Sequence, residues 1–197
     1  MTLVAKNTIT NTFIQYLQQL IVGLAQPNTN IYIVAQPTGT VIPVSNIQAQ
    51  NGTIILEFIS KTTPNPLSQL QLFAGNVLVA YYILTTQITN YNYPLYVQWT
   101  INFSVIETNL NLNQNILLQD LSQIFTNNFT PVSLATSVTP VYKSITPGNI
   151  AYYINTTQGQ VVSYYLNIGG NIIAYGVATS NYGGVLDVSI TFSFTQG

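Results

Sequence analysis

Seven side chains in this chain carry a charge at neutral pH: Glu57, Glu107, Asp120, Asp187, Lys6, Lys61 and Lys143. Their spacing offers little chemistry. Glu57 and Lys61 stand four residues apart on a predicted strand, so they share a face and can pair; a solvated or interfacial ion pair is the expected use. Asp187 follows the Gly183-Gly184 turn and falls on the polar side of the last predicted strand. No carboxylate sits in an acid/base motif. Histidine, cysteine and arginine are absent. That removes His/Cys zinc sites, imidazole bases, thiol nucleophiles and disulfides. Serine and threonine are plentiful, but only Lys61 and Lys143 could activate one within the fold. The glycine pairs Gly169-Gly170 and Gly183-Gly184 lack the lysine and following helix of a phosphate loop. The expectation is a protein that is not an enzyme and uses no metal or cofactor. Three lysines also cannot neutralise a nucleic-acid backbone, so no nucleic-acid partner is expected.

What replaces charge is uncharged polarity. Only 4% of the 197 residues are charged, with 25 Thr, 22 Asn, 17 Gln and 14 Tyr in the chain; an ordinary globular domain is about a quarter charged. At 47% hydrophobic and 12% aromatic the chain has ample core material. The longest plain apolar run, Val77 to Leu84, is too short to span a membrane as a helix. A net charge of −1 and a mean hydropathy of +0.31 favour association. The chain therefore reads as a subunit whose surface is largely covered by partners. Few carboxylates and no histidine also leave acid little to protonate, which predicts a melting temperature that does not fall steeply at low pH. The many Asn and Gln residues argue against a hyperthermophilic habitat.

The positioning elements are repeated. Phe13-Ile14-Gln15-Tyr16-Leu17 lines up with Leu117-Leu118-Gln119-Asp120-Leu121, Val41-Ile42-Pro43-Val44 with Val138-Thr139-Pro140-Val141, and Gly52-Thr53-Ile54 with Gly148-Asn149-Ile150. Gly75-Asn76-Val77-Leu78 follows with Gly170-Asn171-Ile172-Ile173, and residues 97–103 with residues 188–194. The offset falls steadily, from 104 through 97, 96 and 95 to 91, as one ordered set of elements with shorter loops would give. The chain divides into 1–107 and 108–197. Because the first helical segment recurs mid-chain, it reads as a domain element rather than an export signal, and the chain is expected to start at its own Met1.

Each copy opens with an amphipathic helix, at about 12–25 and 114–126. Phe13, Leu17, Leu20, Ile21 and Leu24 form one stripe; Leu117, Leu121, Ile124 and Phe125 form the other. Asn11 or Thr12, and Asn113 or Asn115, are the expected caps. Six strands then follow in each copy, near 30–36, 40–46, 52–61, 69–74, 76–86 and 95–106, and near 131–137, 138–145, 148–155, 160–168, 171–180 and 185–195. Val97, Trp99, Ile101, Phe103 and Val105 alternate with Gln98, Thr100, Asn102 and Ser104, which puts one face on a core. The predicted fold is mainly β: two tandem small antiparallel β-sandwich domains, each with one N-terminal amphipathic helix.

Two residue classes could serve an exposed role. Sequons place possible glycans at Asn51, Asn128 and Asn155, with Asn102 disfavoured by its mid-strand position. Tyrosines cluster at Tyr81, Tyr82, Tyr91, Tyr93 and Tyr96 in the first copy and at Tyr152, Tyr153, Tyr164, Tyr165 and Tyr175 in the second. Adjacent tyrosines on a strand point to opposite faces, so each pair splits between core and surface. Subunit interfaces account for them better than a sugar platform does.

A Met1 start, almost no charge, Asn/Thr/Gln/Tyr-rich strands and tandem small β-domains together resemble virion structural proteins of viruses infecting acidophilic, thermophilic archaea. The nearest types are turret, tail, nozzle or fibre components. The resemblance implies a symmetric assembly on the virion exterior, built from this chain and other virion proteins, with no catalytic motif to carry over. An archaeal adhesin, pilus or surface-layer subunit at the cell surface is one alternative. A module that binds a host surface glycan is the other.

Overall fold

The computed structural model describes residues 2–5, 9–108, 112–137, 141–146, 149–180 and 184–196. The chain is mainly β. Its first half runs β1 (Thr2–Ala5), α1 (Asn11–Ile21), β2 (Ile31–Pro37), β3 (Thr40–Gln50), β4 (Thr53–Ser60), β5 (Leu67–Ala74), β6 (Val77–Ile88) and β7 (Leu95–Thr108). Its second half runs α2 (Gln114–Leu121), β8 (Val132–Thr136), β9 (Val141–Thr146), β10 (Asn149–Thr156), β11 (Gln160–Ile168), β12 (Asn171–Ser180) and β13 (Gly184–Gln196). All twelve strands expected from the alternation pattern are present within a few residues of their predicted ends. β1 was not expected; it lies parallel on β7, with Thr2 opposite Tyr96.

Both helices are shorter than their sequence stripes. α1 starts one residue before the expected caps: Thr10 is the N-cap, its hydroxyl accepting the Phe13 N–H at 3.1 Å. Gly23, at φ 82°, stops it, because an L side chain is strained in that conformation. α2 is capped by Asn113 without a side-chain hydrogen bond, and it gives way to turns after Leu121.

Two three-strand groups recur in the two halves, although β2 also pairs β3 in the first half while β8, β11 and β12 form a sheet of their own in the second. In the first, β5 lies between β2 and β6, and β4 lies between β3 and β7. In the second, β11 lies between β8 and β12, and β10 lies between β9 and β13. Irregularities recur as well. The bulge after Leu72 in β5 returns after Leu166 in β11. The bridge from Ile9 to Ala80, just before α1, returns as Leu112 to Ala174 just before α2. These landmarks equate Gly75 with Gly169 rather than Gly170. They also equate Trp99 with Val188 rather than Ile190, a two-residue slip that keeps the same face. Gly148 and residues 138–140 of the sequence match lie outside the described residues, as does most of the expected division after Glu107.

The halves are not two separately closed sandwiches. β7 and β13, the matching last strands, pair antiparallel, with Phe103 opposite Phe194 and Ser104 opposite Ser193. One sheet therefore runs β3-β4-β7-β13-β10-β9, and β2 joins it to β5 and β6. Antiparallel pairing of two equivalent strands relates the halves by a local twofold at this seam. The helices reach across it. Gln18 of α1 donates to the Asn149 carbonyl of β10 at 3.4 Å, and Gln119 of α2 accepts the Asn51 N–H of the β3–β4 turn at 2.9 Å. The Phe13 and Phe125 rings lie 6.0 Å apart between the two helical segments.

One buried cluster serves both halves. It combines Phe13, Leu17 and Leu20 with Ile33, Leu72, Leu56, Val97, Trp99 and Ile101, and continues into Leu117, Tyr152, Ile154, Val162 and Leu166. Large and small residues have traded places between the copies. In the first half Tyr82 faces Leu70 across β5 and β6; in the second Tyr164 faces Gly176. At this pair the ring has changed strand, which conserves volume in a close-packed interior. Along the backbone Leu56 is registered with Trp99, and Tyr152 with Val188.

Candidate interaction surfaces

Three of the charged side chains, Glu57, Lys61 and Asp120, fall among the described residues. Glu57 and Lys61 make no ion pair. β4 ends at Ser60, so Lys61 leaves the strand, and Glu57 accepts instead from the Asn46 amide at 3.3 Å. The Tyr96 hydroxyl also bonds Glu57, which raises its pKa. Lys6 and the side chains of Glu107, Lys143 and Asp187 lie outside the described residues. Among the described residues no three of His, Cys, Asp and Glu come together as metal ligands, and no helix is long and apolar enough to cross a membrane.

Asp120 is the exception to an otherwise unremarkable set of acids. It is 9% exposed on α2; Oδ1 accepts the Thr130 N–H at 2.9 Å, and Oδ2 has no partner. Burial pushes its pKa up to about 6, against the smaller opposing effect of the Thr130 hydrogen bond. Its counterpart on α1 is Tyr16. There the hydroxyl accepts the Asn28 N–H at 3.0 Å and donates to the Gln26 carbonyl at 2.8 Å. Both helices thus clasp the loop that follows them with one polar side chain at the same position. Tyr16 can donate as well as accept; Asp120 can donate only when protonated. Asp120 also lines a cleft of about 360 Å³ with Ile116, Gln119, Gln123 and Asn128. A larger cleft, about 540 Å³, lies over Gln48, Gln50, Asn51 and Thr53 and has no ionisable lining residue.

The three sequon asparagines are exposed, as modification requires: Asn51 in the β3–β4 turn, Asn128 in the turns after α2, and Asn155 near the end of β10. Asn102 is half-buried, and its amide oxygen accepts the Thr53 hydroxyl at 2.8 Å. The tyrosine pairs split as alternation requires. Tyr82 and Tyr164 turn inward onto the core, while Tyr81 and Tyr165 turn outward. Tyr91 and Tyr93 meet in the β6–β7 loop with ring centroids 5.3 Å apart. The Tyr93 carbonyl accepts both the backbone N–H and the hydroxyl of Thr63.

An apolar face on β11 and β12 gathers two of the tyrosines singled out in the sequence, Tyr165 and Tyr175, with apolar neighbours that were not. Val161 and Tyr165 on β11 alternate outward, and Tyr175 and Val177 oppose Tyr165 and Ser163 on β12. Ile172 joins the same face opposite Asn167. These five are 59%, 38%, 58%, 64% and 60% exposed for Val161, Tyr165, Ile172, Tyr175 and Val177. They are half of the ten large apolar side chains that stand exposed among the described residues. The first half covers the matching face with itself. Tyr32 stacks on Phe73 with centroids 5.3 Å apart and Gln36 donates to Gln71 at 3.1 Å, leaving Ile83 on β6, and Val41 where the face continues onto β3, exposed at its edges. The counterparts of Tyr32 and Phe73 are Ser133 and Asn167, which cannot form that cover.

No protein-family model, curated protein or solved structure was found to match the chain.

Proposed function

We propose that this chain is a structural assembly subunit of the exterior of a virus particle, a turret, tail, nozzle or fibre component acting through its β-domain surfaces. Each half is then one sandwich-type module, doubled within a chain so that a single subunit presents two related sets of faces. The observation that carries the reading is the outer face of β11 and β12: a nearly charge-free chain leaves a whole apolar and tyrosine-rich sheet face uncovered. Such a face on a soluble monomer is a liability, whereas on an assembly subunit it is the means of association. Few ionisable groups also suit an acidic surrounding. A cell-surface adhesin, pilus or surface-layer subunit remains the competing reading. The exposed sequon residues Asn51, Asn128 and Asn155 favour it.

Gold-labelled antibody raised against the chain separates the two. Label on the outside of virus particles is the expected result. Label confined to the envelope of uninfected cells would overturn the proposal in favour of the surface subunit.

A further inference from the structure

We infer that the outer face of the sheet formed by β8, β11 and β12 is the seat of a second copy of this chain, which docks on it face to face as a closed dimer. The inference rests on the reading of the chain as an assembly subunit and names the surface and the partner. The outward residues Val161, Ser163, Tyr165, Tyr175, Val177 and Ile172 include no charge. A charged partner surface would lose its hydration here with nothing to compensate it. The surface that matches an uncharged, half-aromatic sheet face is another of the same kind, and this chain carries one. Two such faces related by a twofold stack as the layers of a sandwich do, about 10 Å apart, with side chains interdigitating. Tyr165 and Tyr175 are directly opposed neighbours on adjacent strands, so they form a rigid aromatic centre with an apolar rim. The five exposed side chains and the polar residues between them make one continuous patch, of the kind that seats a standard interface of ~800 Å² per partner.

The comparison with the first half fixes the stoichiometry. Its matching face is closed by the Tyr32–Phe73 stack and the Gln36–Gln71 hydrogen bond. Among the described residues each chain therefore offers one seat of this kind, and a twofold contact through one seat ends at two copies.

Sedimentation equilibrium on the full chain tests this with three proteins: wild type, Tyr175→Lys, and Ile83→Lys on the matching face of the first half. Thermal melts of both variants confirm folding. The expected result is a wild-type dimer, association weakened at least tenfold by Tyr175→Lys, and no change for Ile83→Lys. Should Tyr175→Lys fail to fold, Val177→Lys replaces it with the same expectation. Association that survives these substitutions would overturn the seat while leaving the assembly role standing. A wild-type chain that stays monomeric at high concentration would overturn the homotypic partner. Glycan-array binding lost in Tyr175→Lys would reassign the face to a carbohydrate.

Discussion

The two halves of this molecule share a strand plan and differ in what they do with it. The first is closed on both sides: its inner face joins the core, and its outer face is covered by a stacked aromatic pair and a glutamine pair. The second keeps the same strands, the same bulge and the same bridge before its helix, but leaves its outer face apolar and open. A duplicated module is thus free to diverge at surface positions while its interior adjusts by exchange. The ring that Tyr82 supplies from β6 in the first half is supplied by Tyr164 from β11 in the second. The comparison teaches that the topology holds both halves, and that association is assigned to one.

The exchange of Tyr164 for Gly176 is the sharpest place to break the comparison. A Cβ on Gly176 would lie 2.5 Å from the Tyr164 hydroxyl oxygen. Gly176→Val should cost about 3 kcal/mol in denaturant unfolding through overpacking. Tyr164→Leu, which restores the leucine found at the first-half position, should recover most of that loss. Additive losses in the double variant would mean that the two residues do not share one space.

The next largest effect separates the helix clasps. Asp120 is held neutral by burial up to about pH 6, whereas an unfolded carboxyl titrates near 3.8. Its folded pKa is raised, so the stabilisation it gives is complete below the unfolded value and is lost as pH rises through about 6. The span corresponds to about 3 kcal/mol as an upper bound. The melting temperature should therefore rise by several degrees between pH 7 and pH 4. Asp120→Asn should stabilise the chain at pH 7 and flatten that rise. A wild-type melting temperature that falls steeply over the same interval would contradict both the clasp and the acid tolerance expected from composition.

The smallest effect concerns the caps. Thr10 accepts the Phe13 N–H and its hydroxyl also donates to the Leu78 carbonyl, while Asn113 makes no side-chain cap bond. Thr10→Ala should cost about 1 kcal/mol in thermal unfolding, and Asn113→Ala only a few tenths. Equal losses would remove this difference between the helices.

Much of this plan was legible in the sequence. Alternation in residues such as Val97, Trp99 and Ile101 marked one-sided strands, glycine and asparagine marked the turns, and the falling offset marked the repeat. Three things were not. The seam is a long-range pairing of β7 with β13, and nothing local in either strand specifies its neighbour. The clasp uses Tyr16 in one half and Asp120 in the other, residues with little in common beyond a side-chain oxygen that accepts a loop N–H. The open face was marked only at Tyr165 and Tyr175, and its extent was hidden because β11 is apolar on both sides. Val162, Tyr164 and Leu166 look the same in sequence as Val161 and Tyr165, and a strand buried on two faces cannot be told from one whose second face awaits a partner. The signal was that lack of alternation, set beside the clean alternation of β5.

The account stands on the seam that joins the halves, and the absence of native cysteine makes it directly testable. Ser104 and Ser193 are opposed across β7 and β13, at a separation that antiparallel pairing sets at roughly 5 Å between Cα atoms. With Ser104→Cys and Ser193→Cys combined, mild oxidation should give a disulfide within one chain, read by mass spectrometry of the digest. Free thiols, or crosslinks found only between chains, would contradict the shared sheet and with it the equivalence of the two halves.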